Sequence, residues 1–287
     1  METIAQVGVV GLGTMGAGIA QVLLEGGREV VGHELDEGAL ARARGRIEAG
    51  LARRVEKGVL ATEERDAAHA RLTLTHDLAR LAGCGLVIEA IVEELAPKRE
   101  LFAALDGICA PGAILATNTS AISVTAIAAA SAYPERCLGL HFFNPAPLMP
   151  LVEVVRAELT AEAPYAVACE LVRACGKQAV RCSDTPGFVV NRLLIPALND
   201  AVRALDELGI EPAEVDLAMT AGAGWPLGPF RLIDLIGADV HVHAAEALHA
   251  AVGDPRMAPP PRLRRMAAAG LLGRKSGRGF YDYRAPG

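Results

Sequence analysis

The sequence has no excess of basic residues and no apolar stretch long enough to cross a bilayer. It carries 28 Lys and Arg against 34 Asp and Glu, a net charge of −6, whereas proteins that bind nucleic acid need a basic surface. The first residues also lack the basic and apolar regions of a signal peptide. We therefore expect a cytoplasmic protein that binds neither nucleic acid nor a membrane.

Cysteine pairs at metal-binding or redox spacing are also missing. None of the six cysteines lies in a C-x-x-C pair, and a chain of 287 residues can bury a large core without disulfides. We expect reduced, mostly buried thiols and no metal site. The histidines His241, His243 and His249 do not alter this expectation, because His241 and His243 are too close in sequence to share a helix face.

The hydrophobic pattern predicts an α/β protein with two domains. Apolar runs typical of buried strands occur at residues 7–10, 29–33, 86–92, 114–117, 138–142, 151–155 and 179–181. The first two flank an apolar helix and form a βαβ unit, and a helix rich in arginine follows at about residues 37–58. We predict a Rossmann-type, mainly parallel sheet domain over residues 1–184 and an all-helical domain over residues 185–287.

A glycine turn, Gly11-x-Gly13-x-x-Gly16, lies directly between the first strand and its helix. The first glycine permits the tight turn, the second lets the backbone approach a pyrophosphate, and the third allows the helix to pack closely on the strand. The N-terminus of the helix then offers N–H groups to the phosphates. An ordinary turn is the alternative, but the flanking strand and helix are the context that dinucleotide binding requires.

Glu34 ends the second strand, at the interval after the glycines where the dinucleotide fingerprint expects an acid. A carboxylate there binds the ribose hydroxyls and repels a 2′-phosphate, so the pattern favours NAD over NADP. Arg42 and Arg44 lie further along the next helix and keep NADP open. The plainer interpretation of Glu34 is a surface residue.

A histidine and a glutamate mark the candidate catalytic site. His141 ends an apolar strand just before an Asn-Pro turn, and ligands of open parallel sheets bind beyond the carboxyl ends of strands. Imidazole titrates near neutrality and can take a proton from a hydroxyl group. Glu153 lies among Leu and Val in a strand that can fold back beside His141, and a buried carboxylate needs a partner. Each residue alone could be structural, as a core histidine or an edge-strand glutamate, but together they favour a catalytic pair.

A series of short motifs runs through the chain. They are VVGLGTMG (9–16), VIEAIVE (87–93), TNTS (117–120), HFFNP (141–145), LVEV (151–154), DTPGFVVNR (184–192), GRKSG (273–277) and GFYDY (279–283). By these motifs the sequence resembles the 3-hydroxyacyl-CoA dehydrogenases, in particular the short bacterial 3-hydroxybutyryl-CoA dehydrogenases, over nearly all of its length.

The resemblance implies a role for each matched residue. His141 and Glu153 would be the catalytic pair, with Ser120 and Asn191 bound to the substrate oxygen or to the base. Lys57 falls where the family's helix contacts CoA. The implied cofactor contacts are Gly11, Gly13, Thr14, Met15, Gly16, Glu34, Ala90, Glu93, Lys98, Asn118, Ser120 and Asn144.

The plainer alternatives are structural. Ser120 and Asn118 could be turn formers, and Asn191 could cap a helix. Glu93 and Lys98 could be a solvated ion pair that contributes almost nothing to stability.

The resemblance also implies a reaction. The thioester would lie between the domains with its C3 carbon near the nicotinamide, His141 would remove the proton of the C3 hydroxyl group, and hydride would pass to NAD. The family acts on the (S)-alcohol, and its C-terminal domain supplies substrate contacts and the contacts of a homodimer.

Three positions depart from the family pattern. Pro150 stands where lysine is frequent, Arg231 where many members carry glutamate, and Trp225 at a variable position. These changes leave the catalytic pair intact but put the specificity for the acyl group and its carrier in doubt. The basic helix up to Lys57 could hold CoA phosphates, could dock an acidic acyl carrier protein, or could be a solvated face.

Two other functions remain open from the sequence. A gulonate-type sugar-acid dehydrogenase would share the fold, the histidine–glutamate pair and a stretch like residues 150–153, but residues 142–145 and 273–283 argue for the acyl-CoA branch. A nucleotide-sensing protein without turnover is the non-enzyme alternative. The intact set of His141, Glu153, Ser120 and Asn191 weighs against it.

Overall fold

The computed structural model describes residues 4–284 and divides into two compact units, one ending at Thr185 and the other beginning at Pro186. Eight strands are present: β1 Gln6–Val10, β2 Glu29–His33, β3 Leu72–Thr75, β4 Leu86–Glu89, β5 Ile114–Thr117, β6 Cys137–Phe142, β7 Leu151–Arg156 and β8 Gln178–Ser183. The α-helices of the first unit are α1 Thr14–Glu25, α2 Glu37–Glu56, α3 Thr62–Ala70, α4 Leu95–Asp106, α5 Val124–Ala128 and α6 Glu162–Ala174. Those of the second unit are α7 Val190–Leu208, α8 Pro212–Leu217, α9 Pro229–Ile236, α10 Ala238–Val252 and α11 Pro261–Ala268. Within residues 4–284, no helix combines the length and apolarity that crossing a membrane requires.

All eight strands of the first unit belong to one sheet, in the order β3-β2-β1-β4-β5-β6-β7-β8. Strands β1 to β6 run parallel, β7 is antiparallel to β6, and β8 runs parallel to β7. The sheet confirms the predicted Rossmann-type, mainly parallel architecture. The strand order reverses beside β1, which is the place where open sheets of this kind bind ligands.

The two faces of the sheet differ in chemistry near the carboxyl ends of the strands. Val9, Ile88, Ala116, Leu140 and Val152 are buried in one apolar cluster that also takes up residues of α1, α2 and α6. Because successive side chains of a strand point to opposite faces, the residues between these positions lie on the other face. That other face carries buried polar residues, namely Glu89, Thr117, His141 and Glu153.

Two strand predictions need correction. The predicted strand over residues 86–92 ends at Glu89, because the backbone N–H of Ile91 bonds to the Glu89 carboxylate at 2.7 Å instead of to a neighbouring strand. The edge strand β3 was not predicted from the sequence. It is only four residues long and half-buried, so it lacks the apolar run that marks the central strands.

The second unit is helical up to α11 and then continues as a C-terminal segment that has a short 3₁₀-helix, Arg274–Ser276, and isolated β-bridges at Gly273–Arg278 and Arg278–Asp282. The helices confirm the predicted helical second part. Two buried aspartates hold the segment: Asp234 accepts hydrogen bonds from the backbone N–H groups of Phe280 and Tyr281 and from the Tyr283 hydroxyl, and Asp216 accepts one from the Tyr281 hydroxyl at 2.6 Å. The prediction of an entirely helical domain therefore misses this segment, whose order depends on contacts distant in sequence.

The six cysteines are free thiols, four buried and two half-buried. Burial raises the pKa of the Cys84 and Cys182 thiols to about 12 and that of Cys137 to about 11. The expectation of reduced, mostly buried thiols is consistent with this placement.

We predict that Asp234→Ala destabilises the second unit by about 2–3 kcal/mol, because it leaves buried donors of the C-terminal segment without acceptors. Thermal unfolding should show a lower midpoint, and hydrogen exchange should become faster at Phe280 and Tyr281. The matched control is Asp282→Ala in the same segment, where the carboxylate pairs with Arg284 at the surface and its loss should leave the midpoint unchanged. Equal midpoints for Asp234→Ala and the wild type would contradict the role of Asp234.

Candidate active site

The glycine turn places three residues without side chains, Gly11, Gly13 and Gly16, at the N-terminus of α1. Gly11 has φ +83°, which favours glycine, and a Cβ on Gly16 would lie 1.8 Å from the Gly11 carbonyl oxygen. A Cβ on Gly13 would have no atom within 4 Å. Gly13 caps α1 without a side-chain hydrogen bond, so no capping side chain covers the first N–H groups of the helix. This is the environment that a pyrophosphate requires.

Three further candidate residues, Thr14, Met15 and Ala90, lie in or beside the turn. Thr14 begins α1 and is exposed, whereas Met15 packs against the apolar cluster of the sheet. Ala90 follows β4, and its carbonyl oxygen would lie 2.8 Å from a Cβ on Gly11. The carboxyl ends of β1 and β4 thus meet at the turn, as the strand order requires.

Glu34 follows β2 and reaches the glycine turn. Its Oε1 accepts a hydrogen bond from the backbone N–H of Leu12 at 2.6 Å, within the turn itself. Arg46 of α2 donates to the Leu12 carbonyl oxygen at 3.4 Å. The two charged side chains therefore hold the two peptide groups on either side of the Leu12 Cα atom, within the glycine turn.

His141 and Glu153 are directly paired across the antiparallel strands β6 and β7. Their side chains share the polar face of the sheet, and His141 Nδ1 lies 2.7 Å from Glu153 Oε2. Glu153 is 0% exposed and His141 is 6% exposed, and the Phe143 ring packs on the imidazole with ring centroids 4.5 Å apart. An ionised carboxylate only accepts hydrogen bonds, so with Glu153 ionised the Nδ1 atom of His141 donates in this contact.

The turn after β5 brings Ser120 and Glu93 together. Glu93 Oε1 accepts hydrogen bonds from the Thr119 hydroxyl at 2.6 Å and from the Ser120 backbone N–H at 2.9 Å. Asn118, just before them, accepts a hydrogen bond from the Phe142 backbone N–H at its side-chain oxygen, at 2.9 Å. The turn is therefore tied both to the segment after β4 and to the end of β6, next to His141.

The alternative that Glu93 and Lys98 form a solvated ion pair is wrong, because Lys98 is buried. Its side chain is 1% exposed, and its Nζ lies 2.6 Å from Glu89 Oε1 and 3.2 Å from Glu93 Oε2. Glu89 was missed as a candidate although its sequence signal, a carboxylate within an apolar run, is the signal that identified Glu153. Thr117 and Thr119, which also bind these carboxylates, carry no such signal.

Three candidate residues, Asn144, Lys57 and Asn191, lie in other segments of the chain. Asn144 is exposed after β6 and forms a cis peptide bond with Pro145. The loop that follows is held by Lys177, whose ammonium group donates to the carbonyl oxygens of Ala146 and Met149, each at 2.8 Å. Lys57 is an exposed residue at the end of α2, and Asn191 is the second residue of α7, in the second unit.

Two of the histidines considered as metal ligands, His241 and His243, differ in their surroundings. His241 is buried and its Nε2 lies 2.9 Å from the Asn199 side-chain oxygen, whereas His243 is exposed. Within the described residues, no group of three or more His, Cys, Asp or Glu side chains could hold a metal ion.

Two family models match the chain. The model of the 3-hydroxyacyl-CoA dehydrogenase NAD binding domain matches residues 6–185, and that of the 3-hydroxyacyl-CoA dehydrogenase C-terminal domain matches residues 187–283. The junction between the matches coincides with the division between the two structural units.

Individual relatives agree with the family models. The chain is 48% identical to a 3-hydroxybutyryl-CoA dehydrogenase of Mycobacterium tuberculosis, over 98% of this chain and 99% of that protein. It is 46% identical to a 3-hydroxyadipyl-CoA dehydrogenase of Escherichia coli, over 99% of this chain and 60% of that longer protein. The crystal structure of an (S)-3-hydroxybutyryl-CoA dehydrogenase of Ralstonia eutropha superimposes with a TM-score of 0.93 at 38% identity, covering 99% of this chain and all of that one.

We predict that Gly16→Ala weakens dinucleotide binding by roughly tenfold or more, an effect of at least about 1.4 kcal/mol. The added Cβ would overlap the Gly11 carbonyl oxygen, so the turn would have to move away from the phosphates. Isothermal titration with NADH measures the effect.

The matched control is Gly45→Ala, within α2, where an added Cβ meets nothing within 4 Å. This variant should keep the affinity for NADH and gain about 0.5–1 kcal/mol of stability from its better helix propensity. Unchanged affinity of the Gly16→Ala variant would mean that the turn does not bind the phosphates.

Proposed function

The chain belongs to the 3-hydroxyacyl-CoA dehydrogenase family, and from this premise we propose that it oxidises the 3-hydroxyl group of an (S)-3-hydroxyacyl-CoA with NAD as the oxidant. We propose 3-hydroxybutyryl-CoA as the preferred substrate. The names of the Mycobacterium and Ralstonia relatives support this substrate, and the name of the Escherichia coli relative supports a longer, dicarboxylic acyl group as the alternative.

The observation that carries the proposal is the hydrogen bond between His141 Nδ1 and Glu153 Oε2. The carboxylate places a negative charge beside the ring, where it would stabilise the positive charge that develops as His141 takes up a proton during the reaction. It also fixes the ring orientation and the tautomer, with the Nδ1 proton directed to Glu153. Both effects are those required of a general base that later serves as a general acid.

The proposed reaction breaks two bonds at the alcohol and forms one carbonyl. His141 takes the proton of the C3 hydroxyl group at Nε2, and the electron pair of the O–H bond becomes the second bond between oxygen and C3. NAD held at the glycine turn would supply the acceptor for the hydrogen of C3 and its electron pair, so the alcohol would be oxidised and the dinucleotide reduced. The products are a 3-oxoacyl thioester, NADH and a protonated His141 that returns its proton to water.

Hydrogen-bond donors near the reacting oxygen complete the proposed machinery. We assign this role to the Ser120 hydroxyl, in the turn that Glu93 and Asn118 hold beside the end of β6. For Asn191 the same role rests on its match to the family motif at residues 184–192. Donors that face the developing charge on oxygen stabilise the transition state more than the ground state.

The cofactor is a nicotinamide dinucleotide, since the matched domain is the NAD binding domain of the family. The open N-terminus of α1 suits its pyrophosphate, and we propose that Glu93, Lys98, Asn118 and Asn144 surround the nicotinamide and its ribose. For the choice between NAD and NADP, the proposal rests on Glu34. A 2′-phosphate beside its carboxylate would face a like charge.

The proposal also concerns the carrier to which the acyl group is attached. Lys57 at the end of α2 and Arg53 in its last turn are exposed basic residues of the first unit, whereas Arg54 in the same turn is half-buried and pairs with Glu25 at 3.1 Å. We propose that Lys57 and Arg53 bind the phosphates of CoA. The competing partner for the same charges is an acidic acyl carrier protein.

We predict that His141→Gln lowers kcat for NADH formation from (S)-3-hydroxybutyryl-CoA by about a thousandfold, because glutamine cannot take the proton. The affinity for NADH should stay within about threefold of the wild type, a change of less than 1 kcal/mol. The control is His243→Gln, an exposed histidine of α10, which should retain full activity.

The same assay separates the alternatives. Wild-type protein should act on 3-hydroxybutyryl-CoA in preference to 3-hydroxyadipyl-CoA, to the carrier-bound hydroxybutyryl group and to gulonate. Turnover of none of these together with normal NADH binding would overturn the enzymatic proposal, and near-normal turnover by His141→Gln would overturn the role of His141.

We predict that Glu34→Ala raises KM for NAD and reduces the preference for NAD over NADP by about tenfold or more. Glu34→Gln keeps an acceptor for the Leu12 N–H but removes the charge. If the charge selects the cofactor, both variants should accept NADP better. An unchanged ratio of kcat/KM values for NAD and NADP in both variants would show that Glu34 does not read the ribose.

A further inference from the structure

The polar face of the sheet holds a buried charge network besides the His141–Glu153 pair. Lys98, in the first turn of α4, is enclosed by two carboxylates, Glu89 at 2.6 Å and Glu93 at 3.2 Å. Glu89 is 0% exposed, whereas 36% of the Glu93 side chain is exposed. The lysine thus links a wholly buried acid to one that reaches the surface at the end of the sheet.

Every interaction made by Glu89 fixes a neighbouring element. Its Oε1 accepts from the Lys98 ammonium group and from the Ile91 backbone N–H, and its Oε2 accepts from the Thr117 hydroxyl at 2.7 Å. Thr117 is the register partner of Glu89 on β5. One carboxylate therefore contacts the chain after β4, the Lys98 side chain of α4 and the end of β5, and holds these three parts together.

Glu93 connects Lys98 to the turn that carries Ser120. One of its oxygens binds Lys98, and the other accepts hydrogen bonds from the Thr119 hydroxyl and the Ser120 and Ala121 backbone N–H groups. Burial would raise the pKa of Glu93, but the Lys98 charge and these hydrogen bonds outweigh it and hold the pKa below its usual value. An ionised Glu93 is thus maintained by partners on both sides.

A purely structural role explains this arrangement poorly. Buried ion pairs are often no more stabilising than apolar residues of the same volume, and here two carboxylates share one ammonium group, which leaves an excess of negative charge. A single buried pair of the usual kind occurs at the other end of α4, where Asp106 binds Arg136 at 2.6 Å. That pair provides a direct comparison within the same helix.

We propose that Glu89 is a positioning residue for the nicotinamide end of the cofactor, acting through Lys98 and Glu93 on the turn of Ser120. The inference rests on the proposed function, because the contacts of Glu93 and Lys98 with the nicotinamide ribose belong to that proposal. Without the Glu89 charge, Lys98 has one carboxylate left and moves toward Glu93. Glu93 then holds the turn less firmly, and the groups around the nicotinamide ribose lose their alignment.

The test compares the binding of NAD and of ADP, which lacks both the nicotinamide and its ribose, by isothermal titration. For Glu89→Gln we expect Kd for NAD to rise by about tenfold and Kd for ADP to change by less than about threefold. The control, Asp106→Asn, removes the charge from the pair at the far end of α4. It should lower the thermal midpoint to a similar extent but leave both Kd values unchanged.

Thr117→Val provides a milder second variant in case Glu89→Gln does not fold. It removes one hydrogen bond to Glu89 and keeps the shape and both charges, so we expect a rise of about threefold in Kd for NAD with no change for ADP. Weakening of both ligands by the same factor, or of neither, in the folded variants would overturn the inference.

Two further variants separate this outcome from failure of the proposed function. Glu93→Gln and Lys98→Met should each weaken the binding of NAD and leave that of ADP unchanged. If they weaken NAD while Glu89→Gln does not, only the positioning role of Glu89 is overturned. If neither affects NAD, the proposed nicotinamide contacts are wrong and the inference falls with them.

Discussion

The hydrogen bond between His141 and Glu153 is the interaction on which the functional architecture depends. It exists because β7 runs antiparallel to β6, in a sheet whose first six strands in sequence are parallel to one another. In the antiparallel pair the two residues are direct register partners, and alternation of side chains turns both away from the apolar cluster. A slip of β7 by one residue would exchange the carboxylate for a valine on that face, so the same pairing fixes both the chemistry and the strand register.

The sequence was sufficient for the elements that are defined by their own residues. Continuous apolar runs predicted the central strands, and the glycine spacing predicted the turn before α1, because only a strand covered on both faces and a tight turn have these patterns. The pairing of Glu153 with His141 was also predictable, since a buried carboxylate needs a partner and few were available. The prediction failed where order comes from distant contacts, as at β3 and at the C-terminal segment held by Asp216 and Asp234.

The network of Glu89, Lys98 and Glu93 shows the same limit within the site. The sequence identified Lys98 and Glu93 only through the resemblance, and left open a solvated pair. The burial of a lysine and the choice of the glutamates that it binds depend on how the helix and the strand that carry these residues pack. The apolar run around Glu89 concealed its role, because an acid near the end of a strand can bond to the chain that follows instead of to another strand.

The burial of the thiols has a chemical consequence for the protein as a catalyst. Oxidants and alkylating reagents attack the thiolate, and burial keeps Cys84, Cys137 and Cys182 protonated at any physiological pH. Peroxide and alkylating reagents should therefore attack these three sulfur atoms more slowly than they attack an exposed thiol of ordinary pKa.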